Sequence, residues 1–87
     1  MNKRPDTELR RLVNEAEKQV TIGATYRHYK QHDYKVVELA FSEANDELCV
    51  VYQALYGERI VYLRPLDSWL EEMTLADGSV VKRFAKV

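Results

Sequence analysis

One cysteine, two histidines and a few carboxylates are the side chains here that could drive a reaction, and their spacing argues against one. Cys49 sits in an apolar, β-rich run, where a thiol behaves as a small hydrophobe and loses acidity. That makes it a poor nucleophile even with His28 or His32 as its base. The two histidines stand four apart, with Asp33 beside them. On a helix that spacing would suit zinc, but across a strand and its turn it sends the rings in unrelated directions, and no third ligand is evident. Glu43, Asp46, Glu47 and the pair Glu71 and Glu72 fall in polar loops or helix ends, without the burial or fixed spacing that acid–base work needs. Gly23, Gly57 and Gly78 are too scattered to form a phosphate loop. The expectation is a non-enzyme with no catalytic residue, metal or cofactor.

The aromatic and basic residues are more informative. Arg27, Tyr29 and Lys30 form one block, and Tyr52, Tyr56, Arg59, Tyr62, Arg64 and Trp69 gather further along. Tyrosine and tryptophan keep a polar atom that needs a partner, so they often line wet grooves. Interleaved with arginine they can hold a peptide, grip a carboxylate or stack on bases. The competing reading is that these rings fill a small core and the arginine stems cover them. Tyr29, Tyr62 and Arg64 fit an exposed groove best. The leading expectation is a module that binds a peptide or protein partner through Arg27, Tyr29, Tyr52, Tyr56, Arg59, Tyr62, Arg64 and Trp69. The alternative is RNA or single-stranded nucleic acid on the same face. A more remote one is a small-ligand or enzyme site near His28 and Arg64.

The elements that must position these residues centre on 48–66, LCVVYQALYGERIVYLRPL, the densest β-branched and aromatic run. It reads as two strands joined across Gly57, Glu58 and Arg59. In the first, Leu48, Val50, Tyr52, Ala54 and Tyr56 oppose Cys49, Val51, Gln53 and Leu55. Neither set is polar, so a central strand covered on both faces is expected. In the second, Val61, Leu63 and Pro65 oppose Ile60, Tyr62 and Arg64. Pro65 cannot donate to a ladder and should end the strand or lie at an edge.

Before this pair, residues 1–6 read as a flexible tail, frayed over its basic start at 1–4, and 7–20 as a helical segment with its helix at 7–19. Asp6 or Thr7 would cap it, and Leu9, Leu12, Val13, Ala16 and Val20 form one apolar stripe. That stripe must bury on its own domain or in a homodimer, because an isolated helix so short is marginal. Strands are expected at 26–30 and 34–41, where Lys35, Val37, Leu39 and Phe41 alternate with Val36, Glu38 and Ala40. An acidic loop follows at 42–47. Residues 67–73 read as a helical turn, with Ser68 and Glu71 at capping-box spacing and Leu66, Trp69, Leu70 and Met73 on one face. Asp77-Gly78 then opens a hairpin into a last strand at 80–84. The strand count suggests a mainly β fold over 22–87, a small SH3-like antiparallel barrel of five to six short strands with the N-terminal α-helix outside it. An open antiparallel sheet capped by that helix is the other arrangement.

The blocks YRHYK at 26–30 and VVYQALYGE at 50–58, with RPL at 64–66, resemble DUF1653, a family of small bacterial domains of unknown function. The resemblance runs over about 22–84 and implies no activity. The family pattern has a glycine-bearing turn after Lys30, where Gln31, His32 and Asp33 stand, and a histidine near the acidic loop, where Ser42 stands.

Eighty-seven residues allow one domain, which buries roughly 60–65% of its unfolded surface. With 46% apolar and 31% charged residues the chain reads as a soluble globular protein. A net charge of −1 favours neither nucleic acid nor membrane as a partner, except through a local patch. The single cysteine suits a reducing compartment. With no apolar leader and no run of about 18 apolar residues, a cytoplasmic protein is expected.

Overall fold

The computed structural model describes residues 4–87. Among them the order is α1 (Asp6–Ala16), β1 (Thr25–His28), β2 (Asp33–Ser42), β3 (Glu47–Ala54), β4 (Val61–Pro65), α2 (Leu66–Trp69), β5 (Glu72–Thr74), β6 (Val80–Lys82) and β7 (Phe84–Lys86). Five strands form one antiparallel sheet in the order β4-β3-β2-β1-β7, and β5 and β6 form a separate hairpin. The ladder is open, with β4 and β7 as its two edges, so the closure expected of an SH3-like barrel is not seen. The last strand, expected unbroken over 80–84, splits instead. β6 pairs with β5 across the Asp77-Gly78 turn, and the chain then crosses at Arg83 so that β7 joins β1. Arg83 is pinned at that crossing on both sides: its N–H donates to the Glu71 carbonyl at 2.9 Å, and its carbonyl accepts from Tyr29 N–H at 2.9 Å.

The helix begins one residue before the expected start at Thr7 and ends at Ala16 rather than at residue 19, leaving Val20 beyond it, and neither Asp6 nor Thr7 caps it. Pro5 holds the extended N-cap position without a side-chain bond, while Asp6 and Glu8 complement the dipole of the first turn. Only the C-terminal half of the stripe goes deep. Ala16 and Val20 are buried in the core and Val13 packs against it, whereas Leu9 and Leu12 are half-buried. The expected tail at 1–4 falls mainly on residues 1–3, outside the described residues. Arg4 is engaged, donating to the Asp46 carbonyl and lying 5.8 Å from the centre of the Phe41 ring.

Strict alternation fails in β2 for a local reason. The register with β3 shifts between Val36 and Glu38, a bulge that inserts one residue. Val36 and Leu39 are therefore both buried although three apart, and Val37 is left outside at 44% exposure. β3 is central, as its composition suggests. Its even residues enter the core, with Val50, Tyr52 and Ala54 buried. The other face is covered only in part: Cys49 is buried, but Val51 and Gln53 are half-buried. β4 is an edge, and Pro65 ends it.

In α2, Trp69 is buried and Leu66 and Leu70 pack on the core. The expected capping box does not form. No side chain caps this turn, and the Ser68 hydroxyl bonds Arg64 instead. No helix among the described residues is long and apolar enough to cross a membrane.

Candidate binding face

Register decides which side chains meet. Pairing sets Val36 beside Tyr52 and Tyr52 beside Tyr62, then Leu39 beside Val50 and Val50 beside Arg64. Across β1, His28 sits beside Phe84 and Tyr26 beside Tyr34. Side chains of paired residues share a face, so one face of the sheet gathers His28, Tyr34, Tyr52, Tyr62, Arg64 and Phe84. Their rings contact edge to face: Tyr34 is 5.3 Å from Tyr52 and 5.8 Å from Phe84, and Tyr52 is 5.6 Å from Phe84. Phe84 lies flat on Trp69, with centroids 3.7 Å apart and planes 4° apart.

Arg64 rests on this floor. Its guanidinium carbon is 5.6 Å from the centre of Phe84. Its Nε donates to the Tyr52 hydroxyl at 3.3 Å and one Nη donates to the Ser68 hydroxyl at 2.9 Å. Both partners are neutral. Among the described residues Arg64 enters no ion pair, whereas Arg27 is bound to Asp33 at 2.8 Å and Arg83 to Glu71 at 3.0 Å. Arg83 also keeps its Nε buried without a hydrogen-bond partner. A half-buried guanidinium held by neutral groups retains donors in a fixed plane, the geometry that carboxylates recognise.

At the β1–β2 turn the Tyr34 and Tyr56 hydroxyls share a hydrogen bond of 2.7 Å, and the His32 ring lies 4.6 Å from Tyr56. Burial, then that hydrogen bond, pushes the Tyr34 hydroxyl well above its ordinary range. His28 packs against Phe84 at 4.9 Å and Tyr29 at 4.6 Å, while its Nδ1 accepts the Lys30 N–H at 3.1 Å. Partial burial first, then the positive charges of Arg64, Arg83, Lys30 and His32, hold its imidazole below the usual value. The field around His28 is positive from every direction named.

Of the residues expected in the groove, Tyr52, Tyr56, Tyr62 and Arg64 come together. Tyr56 and Tyr62 are 40% and 42% exposed, and Tyr52 is a buried floor whose hydroxyl reaches Arg64. Trp69 is sealed at 2% exposure beneath Phe84, so it supports the face without lining it. Tyr29 stands at the margin, its ring tilted at 37° against His28. Arg27 points to the opposite face, where Asp33 holds it. Arg59 lies in the β3–β4 turn, and its carbonyl accepts from Gln53 Nε2 at 3.1 Å. Tyr34, Phe84 and Arg83 join the site unannounced. Alternation puts Tyr34 with Val36, but only the β1–β7 pairing brings Phe84 into place.

Cys49 is buried, its thiol donating to the Glu47 carbonyl at 3.5 Å, and burial pushes its acidity down. No group of three metal-ligating side chains occurs among the described residues. A cavity of about 570 Å³ has Arg27, His28, Tyr29, Leu75, Val81 and Ala85 in its lining, and Arg64 is not part of that lining. A second, of about 730 Å³, lies over Tyr26, Trp69 and Phe84 with Lys18, Lys82 and Lys86 at its rim.

Residues 24–86 match the model of the family described as protein of unknown function DUF1653. A crystal structure of a DUF1653 protein from Bordetella bronchiseptica superposes with a TM-score of 0.71 at 35% identity, over 80% of this chain and 90% of that one. No curated protein matches the chain.

Proposed function

The chain belongs to the DUF1653 family, and from the arrangement of its aromatic face we propose that it is a non-enzymatic module that binds an acidic segment of a peptide or protein partner. The observation that carries this reading is Arg64, half-buried on Phe84, oriented by Tyr52 and Ser68, and without a carboxylate of its own. On the same face the exposed ring of Tyr62 packs on Tyr52 and that of Tyr56 on Tyr34, offering apolar surface at little entropic cost. The cost of desolvating the guanidinium has already been met in folding, so an incoming carboxylate gains a charge-assisted bond.

The test is titration of ¹⁵N-labelled protein with two pools of ten-residue peptides, one rich in aspartate and glutamate and one in lysine. The acidic pool should shift the resonances of Tyr56, Tyr62 and Arg64, and Arg64→Gln should weaken that response about tenfold. Equal response to both pools contradicts the reading. The second reading, single-stranded nucleic acid, draws on the same rings with Arg64, Arg83 and Lys30 nearby. It requires that a mixed oligonucleotide shift those resonances with steep salt dependence while the acidic pool does not.

A further inference from the structure

The two edges of the main sheet are finished differently. β7 is three residues long and carries Lys86, a short and charged edge of the kind that blocks further pairing. β4 is longer, and its charge and its proline, Arg64 and Pro65, lie only at its C-terminal end. Ile60, Val61, Tyr62 and Leu63 are apolar or aromatic and 50%, 55%, 42% and 59% exposed. A run like this at an edge invites another strand.

The phase of the ladder shows which backbone groups are free. Ala54 N–H donates to the Ile60 carbonyl at 2.9 Å, so Ile60 faces β3 with its polar groups. In an antiparallel pair the hydrogen-bonded positions alternate. Tyr62 and Arg64, opposite Tyr52 and Val50, therefore also bond inward. Val61 and Leu63 turn their N–H and C=O groups outward, away from the sheet. Pro65, opposite Cys49, falls in the same outward phase, where its missing N–H costs the ladder nothing and marks where the open edge ends.

We propose that the partner docks by strand addition: an extended acidic segment pairs antiparallel with β4 through Val61 and Leu63 and sets a carboxylate on Arg64. This rests on the binding reading above and specifies its geometry. The occupant follows from charge complementarity. On the added strand, residues opposite Val61 and Leu63 lie on the side of those apolar chains. The residue opposite Arg64 lies on the aromatic face, beside a guanidinium that has no acidic partner among the described residues. In antiparallel order the segment reads acidic, apolar, any residue, apolar. A second copy of this chain does not supply that pattern at its own β4, whose sequence is Val-Tyr-Leu-Arg-Pro.

The test uses an acetylated octapeptide containing Asp-Val-Thr-Val and the full-length protein, followed by ¹⁵N titration and amide exchange. Binding should slow exchange of the Val61 and Leu63 amides. Methylating the two valine nitrogens of the peptide should weaken binding at least about tenfold, since their bonds to the outward carbonyls are lost. Leu63→Pro, which removes an outward N–H unused within the fold, should do the same. If that variant misfolds, the methylated peptide on the native protein still decides. Equal binding of the plain and methylated peptides overturns strand addition and leaves the ring-face reading standing. No binding of either, together with no response to the acidic pool, overturns both. A dimer in sedimentation that Leu63→Pro dissociates shows a second copy on the edge and overturns the peptide occupant.

Discussion

His28 reports the electrostatics of the proposed site one residue at a time. Because partial burial and four surrounding cations lower its folded value from 6.5, the folded state binds fewer protons than the unfolded chain. The stability this contributes is present above about pH 6.5 and is lost as pH falls through the depressed value. Thermal melts should therefore weaken on acidification through that window, and an NMR titration should place His28 below the ordinary imidazole value. Arg64→Gln removes the largest of its charge neighbours and should move His28 back toward the usual value. A titration unchanged by that substitution would detach His28 from the face. Gln31 gives a second prediction. It occupies φ 80°, the left-handed region that favours glycine, in the turn after Lys30. Gln31→Gly relieves about 1–2 kcal/mol of strain and adds about 0.5–1 kcal/mol of unfolded-chain entropy. A net gain of roughly 0.5–1 kcal/mol should be seen in urea unfolding; a loss would mean that the turn is not strained.

At the scale of elements, α1 is tied to the sheet by the end of its stripe. Val20 is fully buried, and Tyr26 Oη accepts the Thr21 N–H at 2.9 Å, closing the connector over the core. Val20→Ala should cost about 2 kcal/mol and lower Tm by about 8–16 °C. Deleting residues 1–20 should likewise destabilise a monomer by exposing Tyr26. If that deletion instead dissociated a dimer and left the melt unchanged, the stripe would belong between copies. Trp69 is the keystone under Arg64. Trp69→Ala should cost about 3–5 kcal/mol in chemical denaturation, close to the whole stability of a small domain. Most element types were legible from pattern alone: the helical stripe, the central pair around Gly57, the edge role of Pro65 and the Asp77-Gly78 hairpin. What escaped was non-local. The bulge at Val37 depends on pairing with β3, and the break at Arg83 depends on two separate sheets claiming successive residues.

For the whole molecule, a net charge of −1 conceals a local imbalance. Arg64 has no carboxylate partner among the described residues, and His28 lies in the field of Arg64, Arg83 and Lys30, so the surroundings of His28 are positive. Composition showed the aromatic–basic set, yet it could not say which members share a side. Tyr52, Tyr62 and Arg64 do so because β3 and β4 pair in that register, and Tyr56 joins through its hydroxyl bond to Tyr34; Arg27 does not, because it faces the other way along β1. The most direct measurement is the pKa of His28 by NMR in the full-length protein, free and with saturating Asp-Val-Thr-Val peptide. A carboxylate brought to Arg64 adds negative charge beside a depressed imidazole, so the account requires that the His28 value rise on binding. An unchanged or lowered value with peptide bound would place the partner elsewhere and contradict it.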